Sequence, residues 1–231
     1  MSVKIGVPSK GRLMEATFEW FDARGLTLKL SGADREYAGC VDGIENVDLV
    51  LLAASEIPRE LAAGRIHLGV TGLDLVMERL AGGDTQVVRL CPMGFGHADL
   101  VLAVPSAWVD VHVLDDLDAV AAAFRAAHGF RLRIATKYHR LVREFLREHG
   151  VADYQLVDSQ GATEGVVKNE TAEAIADITS SGDTLRANHL RPLEDGLILR
   201  SEATVFQSRL APVTKADEAT LIELRSMIGA A

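Results

Sequence analysis

Apolar runs and helix-spaced apolar residues alternate along the chain. Nearly continuous apolar segments predict buried strands at residues 3–7, 47–54, 66–70, 99–104 and 132–136. After the first segment, Leu13, Ala16, Trp20 and Ala23 recur at the spacing of one helix face. Strands that alternate with helices are typical of an α/β protein with mainly parallel sheets.

The second half of the chain resembles the first. IGVPSKGRL at residues 5–13 and RIATKYHRL at residues 133–141 each join a predicted strand to a predicted helix. Any two strand–helix units share this much, so an internal repeat and a coincidence both stay open. A real repeat predicts two similar lobes that face each other across a cleft. Lobe I would contain residues 1–93 and 193–231, and lobe II residues 94–192.

Composition and charge exclude several classes of protein. The 231 residues are 48% apolar and 25% charged, as in ordinary globular proteins, and no apolar run approaches the roughly 20 residues of a membrane span. The formal net charge of −9 and the lack of a basic run argue against nucleic-acid binding. Without a signal-peptide pattern, and with two cysteines that match no disulfide or metal motif, we expect a cytoplasmic protein.

The segment AIADITSSGDTL at residues 174–185 has the pattern of an anion site. A predicted strand ends near Asp177, and hydroxyl side chains surround Gly182 before a predicted helix. Glycine permits close backbone approach, and helix N-terminal amides favour an anion such as a phosphate monoester. Glu173 lies four residues before Asp177, which puts both carboxylates on one face if the strand extends that far. A plain turn with an N-cap would look the same.

The stretch GVPSKGRL at residues 6–13 has the glycine spacing of a phosphate-binding P-loop. Arg12 and Leu13 stand where such a loop needs Lys and then Ser or Thr, and leucine cannot ligate Mg²⁺. The stretch therefore does not predict an ATPase. Lys10 and Arg12 beside Gly11 instead offer cations for phosphate oxygens. A surface turn with solvated charges is the alternative.

Other candidates for chemistry are weaker. The seven histidines show no metal-ligand spacing, and we predict no protein-held metal site. No G-x-S-x-G is present, and no G-x-G-x-x-G follows a predicted strand. The GFG at residues 94–96 suits a hinge between lobes or a plain glycine turn.

Several motifs together resemble the ATP phosphoribosyltransferase family, which begins histidine biosynthesis. They are KGRL at 10–13, IP at 57–58, GRIHLGVTGLD at 64–74, GFG at 94–96, ATKY at 135–138 and DITSSGDTLRAN at 177–188. His139 stands where the family usually has proline, and Asp183 occupies a variable loop position. Neither departure touches an expected ligand group.

The resemblance implies a fold similar to periplasmic binding proteins, and it implies substrate sites. Phosphoribosyl pyrophosphate (PRPP) would place its 5′-phosphate in a loop made of Thr179, Ser180, Ser181, Gly182, Asp183 and Thr184. The ribose hydroxyls would lie near Glu173 and Asp177, and the pyrophosphate near Lys10 and Arg12. ATP would bind toward Gly11, Thr71, Gly72 and Asp74. Adenine N1 would attack C1 of the ribose, and pyrophosphate would leave with its charge neutralised by Mg²⁺ and cations.

The resemblance also implies a partner. Members of this length resemble the short form of the family, which lacks a regulatory domain and works with a subunit similar to histidyl-tRNA synthetase. We therefore expect a hetero-oligomer built on a catalytic dimer. Two alternatives stay open: a bilobal protein that binds or senses a small molecule without catalysis, and a phosphoribosyltransferase for another base.

Overall fold

Two separate sheets organise the protein, one in each of two compact units. The computed structural model describes residues 2–30, 38–82, 85–159, 163 and 165–230. The first unit contains the residues up to Gly96 and those from Glu202 onward, and the second unit is His97–Ser201. The chain thus leaves the first unit once and returns to it once.

Strands and helices alternate through most of the chain, as the apolar pattern predicts. The strands are β1 (Val3–Pro8), β2 (Thr27–Leu30), β3 (Ala38–Asp42), β4 (Val47–Leu52), β5 (Leu68–Gly72), β6 (Val87–Pro92), β7 (Ala98–Pro105), β8 (Leu132–Thr136), β9 (Tyr154–Asp158), β10 (Ala174–Thr179), β11 (Leu190–Ser201) and β12 (Ala203–Ser208). The helices are α1 (Gly11–Asp22), α2 (Ile57–Ala62), α3 (Leu73–Arg79), α4 (Leu114–His128), α5 (His139–Glu148), α6 (Gly165–Lys168), α7 (Asp183–Ala187) and α8 (Lys215–Met227). The five apolar segments predicted as strands correspond to β1, β4, β5, β7 and β8, and the strand predicted to end near Asp177 corresponds to β10.

The first unit has a mixed sheet in the order β2-β3-β4-β1-β5-β12-β6. β1 pairs in parallel with β4 and β5, and antiparallel strands extend the sheet on both sides. Adjacent residues of a strand point to opposite faces, so Val205 and Phe206 belong to different cores. Apolar residues of α1 and α8 pack on one face of the sheet, and those of α2 and α3 on the other.

The second unit has its own sheet in the order β11-β7-β10-β8-β9. β8 pairs in parallel with β9 and β10, while β7 runs antiparallel to β10 and β11. Leu185 of α7 and Val166 of α6 pack against Ile175 and Val101 on one face of this sheet. α4 buries Leu114, Leu117 and Ala121 within the same unit.

Parallel pairing gathers strand ends at one edge of each sheet. In the first unit the carboxyl ends of β1, β4 and β5 meet, and in the second unit those of β8, β9 and β10 meet. Ligands of open α/β sheets bind at such edges. The predicted site residues that follow β1, β5 and β10 therefore lie where binding loops are expected in each unit.

The structure differs from the sequence-based expectation in where the chain returns to the first unit. The sequence placed the return at residue 193, whereas the second unit extends to Ser201. The reason is β11, which continues antiparallel pairing with β7 as far as Ser201 beside Ala98. The first crossing lies after Gly96, close to the expected position after residue 93.

Among the described residues the longest helix is α4, with 15 residues. Neither α4 nor another helix in the described ranges is long and apolar enough to cross a membrane. Cys40 and Cys91 are free thiols. Within the same ranges, no group of three or more His, Cys, Asp or Glu residues is arranged to hold a metal ion.

Candidate active site

β10 brings the loop at residues 179–184 to the carboxyl edge of the second sheet. Ala174, Ile175 and Ala176 are fully buried, so this strand can run between β7 and β8. Thr179 ends the strand, and its Oγ1 accepts a hydrogen bond from the Gly182 N–H at 2.9 Å. Gly182 has a φ of 74°, in the left-handed region, and α7 starts at the next residue. The segment is therefore a tight turn between a strand and a helix.

Hydrogen bonds within the second unit orient the hydroxyl groups of this loop. Ser180 Oγ donates to the backbone oxygen of His97 at 2.8 Å. Ser181 Oγ donates to Asp183 Oδ2 at 2.6 Å, and Asp183 also forms an ion pair with Arg186. The Ser181 hydrogen bond and the Arg186 charge lower the pKa of Asp183, so its carboxylate is ionised at neutral pH.

The start of α7 offers an anion the N–H groups that follow Asp183, whose own N–H donates to Ser181 Oγ at 3.3 Å. The first N–H groups of a helix have no partner within the helix, and Thr184 is an exposed residue of that first turn. The carboxylate of Asp183 is offset by the Arg186 guanidinium beside it. The negative charge of Asp183 therefore does not by itself exclude a phosphate from this loop.

Asp177 lies two residues before the end of β10, on the same strand face as Thr179. Its side chain is buried, with 9% exposure, and Oδ1 accepts a hydrogen bond from the Ile178 N–H at 2.8 Å. Oδ2 bonds to none of the described residues. A carboxylate with one oxygen available at a sheet edge suits a ligand hydroxyl or a hydrated Mg²⁺ ion.

Glu173 does not join this group. It precedes the first residue of β10, and at about 3.3 Å per strand residue its Cα lies about 13 Å from that of Asp177. Its carboxylate accepts hydrogen bonds from the backbone N–H of Arg133 at 2.7 Å and from the Arg133 guanidinium. The even offset predicted a shared face, but the two residues are at opposite ends of the strand. Glu173 therefore anchors the strand, and its placement near the ribose stays a prediction.

In the first unit, the loop after β1 presents two cations. Lys10 is the N-cap of α1, and Gly11 has a φ of 72° that favours glycine. Lys10 and Arg12 are exposed, and neither forms an ion pair with a residue in the described ranges. Because Ser9 N–H donates to Leu52 O at 2.8 Å, the loop is fixed beside the end of β4.

The predicted ATP residues lie at the same edge of the first sheet. β5 ends at Gly72, which is also the N-cap of α3. The Thr71 side chain is fully buried, and its Oγ1 donates to Ala54 O at 2.8 Å, so its hydroxyl hydrogen connects β5 to the loop after β4. Asp74 is buried in the first turn of α3, where a carboxylate is favoured by the helix dipole.

Sequence reasoning assigned no role to the strand ends beside β10. The register aligns Thr136 of β8 with Ala176 and with Asp158 of β9. Thr136 Oγ1 accepts a hydrogen bond from the Tyr138 N–H at 2.9 Å, and His139 Nε2 lies 2.7 Å from Asp158 Oδ1. The signal was available, since β8 was predicted as a strand followed by a helix. Its pairing with β10 was not.

Comparison with known proteins identifies the family of the chain. A profile of the family described as HisG, ATP phosphoribosyltransferase, matches residues 53–228. The chain belongs to the ATP phosphoribosyltransferase family. It is an enzyme of the first step of histidine biosynthesis, which confirms the prediction made from the motifs and excludes the bilobal binding protein without catalysis.

Relatives in this family match nearly the whole chain. The ATP phosphoribosyltransferase of Cereibacter sphaeroides is 71% identical over 216 residues, which cover 94% of this chain and 92% of the relative. That of Mesorhizobium japonicum is 47% identical over 230 residues, or 99% of each chain. A relative from Rhodopseudomonas palustris is longer: its 50% identity over 216 residues covers 94% of this chain and 66% of the relative.

Solved structures show the fold of this phosphoribosyltransferase. A structure described as the ATP phosphoribosyl transferase (HisG:HisZ) complex from Thermotoga maritima matches with a TM-score of 0.72 and 19% identity, covering 98% of each chain. The GluR0 ligand-binding core in complex with L-glutamate matches with a TM-score of 0.54 and 12% identity, covering 99% of this chain and 95% of the other. The predicted α/β class, two-lobed and similar to periplasmic binding proteins, is confirmed.

Proposed function

We propose that the loop at residues 179–184 binds the 5′-phosphate of PRPP. The tight turn at Gly182 and the first turn of α7 support this assignment, because helix N-terminal N–H groups lack partners within the helix and favour an anion. The N–H groups of Gly182 and Asp183 donate to Thr179 Oγ1 and Ser181 Oγ, and they would exchange these bonds for phosphate oxygens. Ser180 and Ser181 add hydroxyl donors once their present hydrogen bonds are exchanged for phosphate oxygens, and the exposed Thr184 adds a third hydroxyl. Each bond from a neutral donor to a charged ligand contributes about 1.5–3 kcal/mol.

We propose that Asp177 binds the ribose of PRPP or the hydrated Mg²⁺ that accompanies its pyrophosphate. Its Oδ2, which forms no hydrogen bond with a described residue, supports either contact. Mg²⁺ usually keeps several waters and binds through one or two carboxylates and substrate phosphates, which fits a site with a single carboxylate. When bound, the ion would neutralise charge on the leaving pyrophosphate.

Lys10 and Arg12 are proposed to bind the pyrophosphate. An exposed guanidinium without a carboxylate partner in the described ranges is available for two-pronged contact with phosphate oxygens, and a lysine acts as a point charge. Negative charge grows on pyrophosphate as the ribose bond breaks. Cations fixed beside it therefore stabilise the transition state more than the bound substrate.

ATP is proposed to bind at the edge of the first sheet, toward Gly11, Gly72, Thr71 and Asp74. The glycines leave backbone accessible, while the buried Thr71 and Asp74 fix the shape of the turn into α3. Adenine N1 attacks as a neutral nitrogen, so the reaction requires alignment and charge stabilisation and no covalent nucleophile.

A separate regulatory subunit completes the proposal. The Thermotoga maritima structure is described as a complex of HisG with HisZ, and its fold matches this chain over 98% of its length. We propose that this protein likewise works with a subunit similar to histidyl-tRNA synthetase, in a hetero-oligomer built on a catalytic dimer. The free thiols Cys40 and Cys91 favour a reducing compartment such as the cytoplasm.

The observation that carries the proposal is the tight turn at Gly182 in a chain 71% identical to an ATP phosphoribosyltransferase. The purified protein should form phosphoribosyl-ATP from ATP, PRPP and Mg²⁺, with and without the candidate partner, as detected by chromatography. GTP in place of ATP is the control. Failure to form product with the partner present, or equal use of GTP, would contradict the proposal.

A further inference from the structure

A groove of about 710 Å³ runs along β9, an edge strand of the second sheet. Three arginines line it: Arg131 lies just before β8, and Arg143 and Arg147 lie on α5. The lining is completed by residues 150–152 and 154–156. None of these residues is acidic, although the protein as a whole carries a formal net charge of −9.

The three arginines of the groove have no carboxylate partner among the residues that the structure describes. Two nearby acidic side chains are paired with other groups. Glu144 forms an ion pair with Arg140 at 3.2 Å, and Asp153 pairs with Arg125 at 2.5 Å. Glu148 follows Arg147 in the chain but does not line the groove. The positive charge of the groove is therefore not neutralised from within.

Two of the three arginines, Arg143 and Arg147, lie on α5 and repel each other. Arg143 and Arg147 are four residues apart on one helix face, where like charges disfavour the helix by a few tenths of a kcal/mol. Arg147 gains from the dipole at the helix C-terminus, but that interaction does not extend to Arg131 or Arg143. An anion bound between the guanidinium groups would remove this repulsion.

The groove is fixed by backbone hydrogen bonds before a ligand binds. Val151 N–H donates to Leu146 O at 3.0 Å, and Ala152 N–H donates to Asp118 Oδ1 at 2.9 Å. These bonds attach the loop before β9 to α5 and to α4. A fixed backbone costs less ordering entropy on binding than a loop that must fold around its ligand, and only the exposed arginine side chains remain to be ordered.

We propose that this groove binds a small anion that carries two or more phosphate groups. Planar guanidinium groups match phosphate oxygens in pairs, and three of them suit a polyphosphate better than a single carboxylate. The volume falls within the roughly 300–1,000 Å³ of small-molecule sites. The half-buried Tyr154 adds an aromatic ring and a hydroxyl donor to the lining.

This groove is separate from the proposed PRPP loop. It contains the C-terminal end of α5, the start of β9 and the residue before β8. The PRPP loop follows the end of β10, and β8, β9 and β10 are parallel neighbours. The groove therefore lies at the amino edge of the strands and the loop at the carboxyl edge, so a ligand in the groove does not occupy the substrate site.

Titration calorimetry with inorganic tripolyphosphate tests this inference. The double variant Arg143→Gln/Arg147→Gln should bind at least about tenfold more weakly than the natural protein, since it loses two charge-assisted contacts. Lys168→Gln/Lys215→Gln removes the same charge elsewhere and should bind normally. Lys10→Gln/Arg12→Gln should also retain binding in the groove. Without tripolyphosphate, the turnover of the groove variant should be unchanged, which shows that it is folded.

Four results would overturn the inference. The first is that the natural protein does not bind tripolyphosphate at millimolar concentration. The second is that all charge-removing variants lose affinity equally, as expected for nonspecific attraction. The third is that binding is lost in Lys10→Gln/Arg12→Gln and kept in the groove variant, which would assign it to the substrate site. The fourth is that hexaglutamate binds more tightly than tripolyphosphate, which would identify the ligand as an acidic protein segment.

Discussion

At the scale of single residues, the proposed phosphate loop depends on the backbone of Gly182. Its φ of 74° is a conformation that β-branched residues rarely adopt. A Cβ atom at this position would approach only Arg186, with Nη1 at 3.0 Å, and that flexible end can move away. Backbone conformation, more than space, therefore requires glycine here.

Gly182→Val should weaken PRPP binding by on the order of 100-fold or more while leaving the fold largely intact. The valine forces the turn out of its left-handed conformation, and two lost contacts to the phosphate at about 1.5–3 kcal/mol each give this magnitude. Calorimetric titration with PRPP measures it. Gly129→Val is the control, because Gly129 has a φ of 78° and caps α4 away from the loop. Near-normal PRPP affinity in a folded Gly182→Val protein would remove the loop from the site.

Arg12 provides a second test at this scale. If its guanidinium neutralises the leaving pyrophosphate, Arg12→Ala should lower turnover much more than it lowers the affinity for ribose 5-phosphate, which has no pyrophosphate. Steady-state kinetics and calorimetry give the two quantities. Arg59→Ala, at another exposed arginine of the first unit, should change neither. Equal losses in turnover and in fragment binding would show that Arg12 acts elsewhere or is structural.

At the scale of elements, an ion pair fixes β10 to β8 at the end opposite to the loop. Glu173 precedes β10, and its carboxylate accepts hydrogen bonds from the backbone and side chain of Arg133 in β8. Burial by itself raises the pKa of Glu173, but the hydrogen bonds and charge of Arg133 outweigh it and lower the pKa below 4.5. The ionised carboxylate therefore stabilises the folded second unit.

Glu173→Gln should destabilise the protein by about 2 kcal/mol at neutral pH, because a hydrogen-bonded charge is lost. The lowered pKa means that the contribution is full above the unfolded value and disappears as the pH falls through the folded value. The difference between variant and natural protein should therefore shrink as the pH falls from neutral through the folded pKa. Denaturant unfolding of both proteins over a series of pH values from neutral to acidic measures it.

Glu170→Gln is the matched control for this prediction. Only the backbone oxygen of Glu170 accepts a hydrogen bond from Arg133, so the change of side chain should leave stability nearly unaffected. The anchoring role fails if Glu173→Gln is as stable as the natural protein. A loss of turnover at unchanged stability would return Glu173 to the catalytic site.

Elements that are marked by their own apolar pattern could be predicted from the sequence. Elements that depend on pairing with residues far along the chain could not. The strand at residues 132–136 was predicted with its observed bounds because it is an apolar run between polar turns. β11 was missed: it contains Pro192 and Gly196, alternates irregularly, and pairs with β7 through register shifts. For the same reason, the offset of Glu173 predicted its strand face but not its partner, Arg133.

At the scale of the whole molecule, the two compact units divide the proposed work. The described residues of the first unit contain the predicted pyrophosphate and ATP residues, and those of the second contain the phosphate loop. Both units are thus assigned to substrates. Allostery requires a distinct effector site whose occupancy favours one global state. Feedback by histidine is expected of the enzyme that begins its synthesis. It then requires an effector site apart from the substrate sites assigned to the two units.

We therefore predict that the isolated 231-residue chain has low activity and does not respond to histidine. Adding the synthetase-like partner should raise turnover and confer inhibition by histidine together, because one subunit would carry both the effector site and the contacts that favour the active state. Assays of phosphoribosyl-ATP formation at increasing histidine, with and without partner, measure both effects, and an unrelated subunit serves as the control. Tight histidine binding to this chain alone in calorimetry, or full histidine-inhibited turnover without the partner, would contradict this division between subunits.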